Sequence, residues 1–199
     1  MRRRVLTGPG RTGATPTPCR PYSLSAAADG RGLRISVKDL GDGSAALPRV
    51  RPGTHVLVEG PTAGCPPGPA PGRGPLVAAG IGSTPLRALA EELDYAPGDA
   101  VLLYRFTDRP LFEGELAALA RERGLQAIWL PGHRRAPDSW LGDGVGGADD
   151  RTALTFWVPD IAERDVYVCG PEGWAEDVRR TTSAAGLPAD RFHVESFGW

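Results

Sequence analysis

The first third of the chain contains short runs in which apolar and polar residues alternate. In GLRISVKDL (32–40) apolar residues alternate with Arg, Ser and Lys, and THVLVEG (54–60) repeats the alternation. A period of two places one face of a strand against a core and the other in solvent. We therefore predict short antiparallel strands over 20–64, forming part of an antiparallel β-barrel or a sandwich. An irregular segment, crowded with Gly, Pro and Thr, precedes them at 1–19.

From residue 75 onwards, short apolar runs alternate with longer stretches of helical spacing. The predicted strands are PLVAAG, AVLLYRF, LQAIWLPG, DVYVCG and RFHVESF. Strand–helix alternation is typical of a parallel sheet covered by helices. We therefore predict an α/β domain with a parallel sheet over 75–199. A linker at 65–74 separates it from the antiparallel part, because the prolines and glycines there cannot continue a sheet.

Composition and charge narrow the classes of function. With 199 residues and a net charge of −1, the chain can bury a core and carries no basic field for nucleic acid or an anionic membrane. No apolar run reaches the ~18 residues that span a bilayer, and no signal peptide is apparent. The three distant cysteines fit a reducing compartment, and neither Cys nor His has the spacing of a zinc site. We expect a cytoplasmic protein without a metal.

A glycine turn, Gly80-Ile81-Gly82-Ser83-Thr84-Pro85, connects the first predicted strand of the α/β domain to a helix. Backbone N–H groups at a helix N-terminus can hold a phosphate, and Pro85 fits the first helical turn. The turn lacks the third glycine of the Rossmann Gly-x-Gly-x-x-Gly pattern. It therefore indicates either a dinucleotide site or only a tight strand-to-helix connection.

A second strand-to-helix turn, Cys169-Gly170-Pro171, has the same design. Two such turns at the carboxyl ends of parallel strands line one crevice, where open α/β sheets usually bind their ligands. Cys169 is then either a thiol that faces a cofactor or a small buried apolar residue.

A third motif, Arg20-Pro21-Tyr22-Ser23, begins the first strand that we predict. An arginine guanidinium suits a pyrophosphate, and a tyrosine ring can stack on a planar group. The alternation of a strand puts Arg20 and Tyr22 on one face. The alternative is an ordinary exposed strand edge.

These three motifs, in this order, resemble the ferredoxin–NADP⁺ reductase superfamily. Its flavin domain is marked by Arg-x-Tyr-Ser, and its nicotinamide domain by Gly-x-Gly-x-Thr-Pro and a later Cys-Gly-Pro. The resemblance covers 20–199 and is strongest to the reductase halves of bacterial ferric-reductase-like and NADPH-oxidase-like proteins. These end in an acidic residue followed by an aromatic one, as HVESFGW does. The resemblance implies an FAD-dependent oxidoreductase that takes hydride from NADPH or NADH.

On the FAD side, the resemblance implies that Arg20 contacts the pyrophosphate, Tyr22 packs on the isoalloxazine and Ser23 bonds near flavin N5. The other FAD-binding positions that it implies are Pro21, Val37, Lys38, Gly41 and Ser44.

On the nicotinamide side, the resemblance implies residues that lie under the bound nicotinamide dinucleotide and a turn near its nicotinamide ring. The positions concerned are Gly80, Gly82, Thr84, Pro85, Cys169, Gly170 and Pro171. Glu195 and Phe197 would close the flavin face. The resemblance thus implies catalytic roles for Ser23, Cys169, Glu195 and Phe197.

Two arginines bear on the choice of nucleotide. Arg105 and Arg109 follow the second parallel strand, where the adenosine ribose should lie, and they could meet a 2′-phosphate. This position favours NADPH over NADH. The alternative is that both are exposed arginines in an arginine-rich chain.

Two departures from the superfamily keep a second class of function open. Only nineteen residues precede the Arg-x-Tyr-Ser strand, and a short CPPGPAPGRG stands where relatives carry a basic hairpin. The alternative is a truncated, non-catalytic flavoprotein remnant or partner subunit. An ordinary Rossmann dehydrogenase would leave RPYS unexplained. The expected electron acceptor is an acceptor protein, a haem domain or an iron chelate. If the chain is part of a longer protein, we expect it to lie at the cytoplasmic face of a membrane.

Overall fold

The computed structural model describes residues 2–7, 20–39, 41–59 and 74–197. Its first part is an antiparallel sheet of three strands, in the order β2-β1-β3. The strands are β1 (Arg2–Thr7), β2 (Arg20–Ser23) and β3 (Val56–Glu59). In the register, Arg3 lies opposite Tyr22, and Val5 lies opposite Val58. The closure of this sheet into a barrel stays a prediction.

Two predictions for this part of the chain are wrong. Residues 2–7 form a strand where the sequence predicts irregular structure at 1–19, because β1 is paired on both edges and backbone pairing needs no alternation of side chains. GLRISVKDL (32–40) is not a strand over its described residues. Only an isolated bridge joins Ile35 to Leu24, and Leu33 is 43% exposed. Alternation without a neighbouring strand did not produce a strand here.

The second part is a parallel sheet of five strands, in the order β6-β5-β4-β7-β8. Its strands are β4 (Gly74–Ala79), β5 (Ala100–Phe106), β6 (Gln126–Pro131), β7 (Val166–Pro171) and β8 (Phe192–Phe197). The helices are α1 (Asp42–Ala45), in the first part, and α2 (Ser83–Glu92), α3 (Glu113–Arg123), α4 (Asp150–Trp157) and α5 (Glu172–Ala184). The predicted α/β fold is confirmed. The predicted linker at 65–74 lies outside the described residues, except that Gly74 begins β4.

Helices cover both faces of the parallel sheet. Leu76 of β4 packs into one core with residues of α2 and α3, and its neighbour Val77 packs into a second core with residues of α4 and α5. All six residues of β4 are buried, because a central strand covered on both faces has no solvent side. This is why the strands appear in the sequence as continuous apolar runs.

The strand order reverses between β4 and β7. The chain runs from β4 outward through β5 to β6, and then returns to the other side of β4 with β7 and β8. Ligands of open α/β sheets bind at the carboxyl ends of the strands beside such a reversal. The glycine turn Gly80–Gly82 follows β4. Cys169, Gly170 and Pro171 form the paired end of β7, and α5 begins directly at Glu172, so the turn after β7 is this strand-to-helix junction. In the described ranges, we find no helix with the length and apolarity needed to cross a membrane.

Candidate functional site

The turn after β4 brings α2 against the end of β7. Gly80–Gly82 form one turn of 3₁₀ helix that leads directly into α2. A Cβ on Gly82 would lie 2.0 Å from the carbonyl oxygen of Cys169, so only glycine allows this approach. Gly80 is exposed, has a φ of +54°, and a Cβ there would meet nothing within 4 Å. The turn is therefore tight on the β7 side and open above Gly80.

The N-terminus of α2 lacks a side-chain cap. Its N-cap residue is Gly82, which has no side chain to accept from the first N–H groups of the helix. Ser83 Oγ donates to the Gly80 carbonyl at 2.9 Å, and the Ser83 backbone N–H bonds to carbonyls of the 3₁₀ turn. Among the described residues, the buried Thr84 Oγ1 has no hydrogen-bond partner. This hydroxyl and the open space above Gly80, at the N-terminal end of a helix, fit an anionic group such as a pyrophosphate.

Ser23 and Glu195 meet although 172 positions separate them. Ser23 Oγ donates a hydrogen bond of 2.6 Å to Glu195 Oε1. Glu195 lies opposite Cys169 in the register of β7 and β8, and Phe197 lies opposite Pro171. Three residues with implied catalytic roles thus lie in neighbouring strands or in direct contact. For Phe197 the described backbone gives the position next to the Cys169–Pro171 turn.

Cys169 is fully buried. Its side chain belongs to the core between the sheet and helices α2 and α3, and its neighbours in the register are Ala78 on β4 and Glu195 on β8. These surroundings fit the second of the two predicted alternatives, in which Cys169 is a small buried apolar residue. Its role toward a cofactor stays a prediction.

Gly170, the next residue, is packed closely. A Cβ there would lie 2.6 Å from the indole ring of Trp174 and 3.1 Å from the Cβ of Ala79. Trp174 Nε1 in turn donates to the carbonyl of Trp140 at 2.8 Å. The turn after β7 is therefore fixed by the packing of the buried Trp174 against Gly170, while Pro171 is exposed.

Two of the residues implied on the FAD side, Val37 and Ser44, line a cleft of 370 Å³. Its lining residues are Ile35, Val37, Asp39, Ser44, Ala45, Leu47 and Pro48. Ser44 Oγ donates to the Gly41 carbonyl at 2.9 Å, and Gly41 has a φ of +121°. Lys38 is exposed beside the cleft.

The Arg-x-Tyr-Ser motif forms β2. The backbones of Arg20 and Pro21 pair with Val5 and Arg4 of β1. Tyr22 is half-buried, and Ser23 is buried. The strand brings the motif to Glu195 through Ser23.

Arg105 lies next to the glycine turn. It pairs with Ala79 in the register of β4 and β5, and its Nη1 donates to the Gly132 carbonyl at 3.1 Å. Its Nε is buried and has no hydrogen-bond partner among the residues that the structure describes. Burial lowers the pKa of Arg105, the charge of Arg134 lowers it further, and Asp143 acts in the opposite direction. Arg109 is exposed in the loop after β5.

Two arginines that the sequence motifs do not single out join the two parts of the chain. Arg34 and Arg87 both donate to the Ser25 carbonyl, at 2.7 and 2.5 Å. The sequence does indicate an ion pair between Arg87 and Glu91, because the two residues have the i, i+4 spacing of a helical pair. Nothing in the sequence pattern pointed to Ser25.

The fold and the site define a dinucleotide-binding type of α/β domain attached to an antiparallel segment. Comparison with known proteins agrees. The chain is 33% identical to an NADPH oxidoreductase of Mycobacterium tuberculosis over 190 residues, covering 89% of this chain and 47% of that protein. It is 30% identical to the ferredoxin reductase component of 3-ketosteroid-9-alpha-monooxygenase of Mycolicibacterium smegmatis, covering 94% and 52%.

Among solved structures, the FAD/NAD-binding domain of nitric oxide dioxygenase from Vibrio cholerae superposes with a TM-score of 0.76 at 27% identity. The match covers 100% of this chain and 84% of that domain. No family model matches the chain. The chain belongs to the ferredoxin–NADP⁺ reductase superfamily. It spans about half the length of the curated relatives that it matches.

Proposed function

We propose that the chain is an FAD-dependent NAD(P)H oxidoreductase, which passes hydride from NAD(P)H to the flavin and electrons to an acceptor. The observation that carries this proposal is the hydrogen bond between Ser23 and Glu195. It joins the Arg-x-Tyr-Ser strand to the end of the α/β sheet, beside the turn after β7. The relatives named as an NADPH oxidoreductase and a ferredoxin reductase component support the same activity.

FAD fits the residues of the first part of the chain. Arg20 would hold the pyrophosphate and Tyr22 would pack on the flavin ring. The cleft lined by Val37 and Ser44, with Gly41 and Lys38 beside it, would receive the rest of the cofactor. When bound, FAD supplies an acceptor for hydride and releases electrons singly or in pairs, whereas the protein supplies binding and orientation.

The contribution of Ser23 is orientation. Because its hydroxyl donates to Glu195, the direction of the Ser23 O–H bond is fixed. The lone pairs of Oγ can then accept a hydrogen bond from a third group. Burial of Ser23 keeps water from competing for that position. Placement of this kind is the main way in which a protein accelerates a transfer between two bound groups.

The nicotinamide dinucleotide would lie across the turns after β4 and β7. The N-terminal end of α2, with Thr84 Oγ1 and the open space above Gly80, would hold the pyrophosphate. Gly170 and Pro171, next to Glu195 and Phe197 in β8, would flank the nicotinamide ring.

NADPH is the proposed nucleotide. Arg105 of β5 lies beside the glycine turn, and its Nε has no hydrogen-bond partner among the described residues; the exposed Arg109 follows in the loop after β5. Both suit a 2′-phosphate at the ribose end of the site.

The electron acceptor is proposed by class. The relatives include a monooxygenase ferredoxin reductase component and flavohemoproteins. We propose an acceptor protein, a haem domain or an iron chelate as the partner, and a cytoplasmic location.

The test is the flavin content of the purified chain after incubation with FAD. We expect the visible absorption of bound oxidised flavin, and its bleaching by NADPH more readily than by NADH. Arg20→Ala should lower FAD affinity by about 2–4 kcal/mol, because a pyrophosphate loses its charged partner, and should change NADPH binding less. Arg51→Ala, at an exposed arginine, is the matched control.

Equal flavin content in the Arg20→Ala variant and the parent would contradict the role of Arg20. A parent chain that binds no FAD would contradict the proposed enzyme. That outcome would favour the alternative of a non-catalytic partner subunit.

A further inference from the structure

A cluster of four charged side chains lies where the antiparallel part of the chain meets helices α2 and α3. We call it the charge cluster, and its members are Arg34, Arg87, Glu91 and Glu115. Arg34 follows β2 in the chain, Arg87 and Glu91 belong to α2, and Glu115 belongs to α3. The cluster holds two positive and two negative charges, so it is balanced.

Two acceptors of the cluster are each shared by two arginines. The Ser25 carbonyl accepts from Arg87 Nη1 at 2.5 Å and from Arg34 Nη2 at 2.7 Å. Glu115 Oε2 lies 2.7 Å from a guanidinium nitrogen of each arginine. A backbone carbonyl of the antiparallel part is thereby tied to a carboxylate of α3 by two planar cations.

Glu91 makes a second connection between the same two parts. Its carboxylate pairs with the guanidinium of Arg87, and its Oε2 accepts the backbone N–H of Ala27 at 2.8 Å. The backbone on both sides of residue 26 is therefore held by side chains of α2, one donor and one acceptor.

Burial makes Arg87 the central member. Its side chain is only 6% exposed, whereas Glu115 and Arg34 are 40% and 43% exposed. An exposed ion pair contributes little to stability. Removing one member of a buried ion pair lowers the stability of the protein far more, because the other charge is left buried without a partner. The connection therefore depends chiefly on Arg87.

Phe112 adds a second, independent feature. It precedes α3 with a φ of +60°, the one non-glycine residue of the described chain with a positive φ. Its ring centre lies 5.7 Å from the Arg34 guanidinium and 5.9 Å from that of Arg87. Backbone conformations of this kind persist only where the surroundings fix them, and they concentrate at functional sites.

We propose that Arg87 is a positioning residue for hydride transfer, and this rests on the proposed function. Arg87 lies three positions after Thr84, in the first half of the helix whose N-terminus would hold the nicotinamide dinucleotide. Ser25 lies two positions after Ser23, on the flavin side. The bond between them fixes the distance between the elements that hold the two cofactors. Hydride transfer needs that distance, since a displacement of about 1 Å costs about a hundredfold in rate.

The first test needs no cofactor. Hydrogen exchange of the Ala27 amide, which donates to Glu91, is measured in the full chain by NMR. In Arg87→Met the amide should exchange about tenfold faster, because Glu91 loses the cation that holds its carboxylate in place. Arg121→Met is the control, since Arg121 is an exposed arginine of α3 paired with Glu122. Equal exchange rates in Arg87→Met and the parent would overturn the proposal.

The second test measures steady-state turnover of the FAD-loaded chain, with NADPH as the hydride donor and a saturating ferric chelate as the electron acceptor. In Arg87→Met, kcat should fall about tenfold to a hundredfold while KM changes less than about threefold, because orientation is lost and binding is kept. Arg87→Lys should recover only part of the rate, since an ammonium cannot reach three acceptors in the plane of a guanidinium. A change in KM alone, or an unchanged kcat despite faster exchange, would overturn the positioning role.

A further variant covers the case in which Arg87→Met does not fold. Arg34→Met removes the more exposed of the two arginines that bind the Ser25 carbonyl, and it should lower kcat in the same direction by a smaller factor. An unchanged kcat in both Arg34→Met and Arg87→Lys would overturn the proposal. If the parent chain itself binds FAD but is not reduced by NADPH, the proposed function has failed, and the exchange experiment still decides whether Arg87 holds the segment.

Discussion

The two glycines of the turn after β4 are needed for different reasons. Gly82 has ordinary helical angles, so its backbone would accept any residue, but its Cα lies against the carbonyl of Cys169. Gly80 has open space around it but a φ of +54°, which L-residues avoid. One glycine therefore permits a close approach, and the other permits a backbone conformation.

Alanine substitutions should separate these two effects. Gly82→Ala should lower the free energy of unfolding by about 3 kcal/mol, because a methyl group 2.0 Å from a backbone oxygen forces α2 away from β7. Gly80→Ala should cost only about 1 kcal/mol, the strain of a left-handed residue. Urea unfolding of both variants beside the parent measures this. Equal losses in the two variants would show that contact with Cys169 does not set the position of α2.

At the scale of the helix, Asp149 caps α4. Its Oδ1 accepts the backbone N–H of Thr152 at 2.9 Å, and its Oδ2 accepts the Thr152 hydroxyl at 2.6 Å. The hydroxyl bond, and then the backbone bond, lower the pKa of Asp149 from its ordinary value of 3.8. The ionised form is therefore the one that stabilises the helix. Its contribution is present above the ordinary pKa and is lost as the pH falls through the lowered one.

Asp149→Asn should remove this pH dependence. The amide still offers an oxygen to Thr152 but carries no charge near the positive end of the helix dipole. The parent should be more stable than the variant at neutral pH, and the difference should vanish below the pKa of the folded state. Unfolding free energies across a pH series measure this. Asp108→Asn, at an exposed aspartate in a loop, is the control. A difference that persists in acid would contradict the capping role.

The elements that the sequence predicts correctly are those whose burial leaves a local pattern. Strands such as β4 and β7 are covered on both faces, so their apolar runs are continuous and easy to recognise. GLRISVKDL (32–40) shows the limit of this reasoning, because alternation describes a strand only if a neighbour supplies the hydrogen bonds. β1 shows the converse, since RRRVLT has no alternation and is a strand through its two neighbours.

The site was predictable only in part, for the same physical reason. The glycine turns are local, and a strand followed by a glycine turn and a helix indicates a ligand site wherever the sheet reverses. The contact of Ser23 with Glu195 is not local. The family resemblance implied that each residue lies at the flavin, but it predicted no contact between them. The bonds from Arg34 and Arg87 to a backbone carbonyl depend on the angle at which two parts of the chain meet. No spacing in the sequence encodes that angle.

At the scale of the whole molecule, two regions among the described residues hold the antiparallel part against the α/β domain. One is the charge cluster on α2 and α3, and the other is the hydrogen bond from Ser23 to Glu195 on β8. They act on residues only two positions apart, Ser23 and Ser25, from different elements of the domain. Because the segment that contains Ser23 and Ser25 is held at two nearby points, it has little freedom to rotate. This suits a segment that must orient a bound flavin toward the nicotinamide.

The strength of the second connection can be measured by a double-mutant cycle of Ser23→Ala and Glu195→Gln. The bond is short, its donor is buried, and its acceptor is a carboxylate. Hydrogen bonds to charged groups contribute about 1.5–3 kcal/mol, so we expect a coupling energy of about 1–2 kcal/mol in the free energy of unfolding. Ser23→Ala combined with Glu122→Gln, an exposed and distant glutamate, should be additive. If the Ser23–Glu195 cycle is additive as well, this hydrogen bond does not couple the two parts of the chain. The charge cluster would then be the connection that keeps them together.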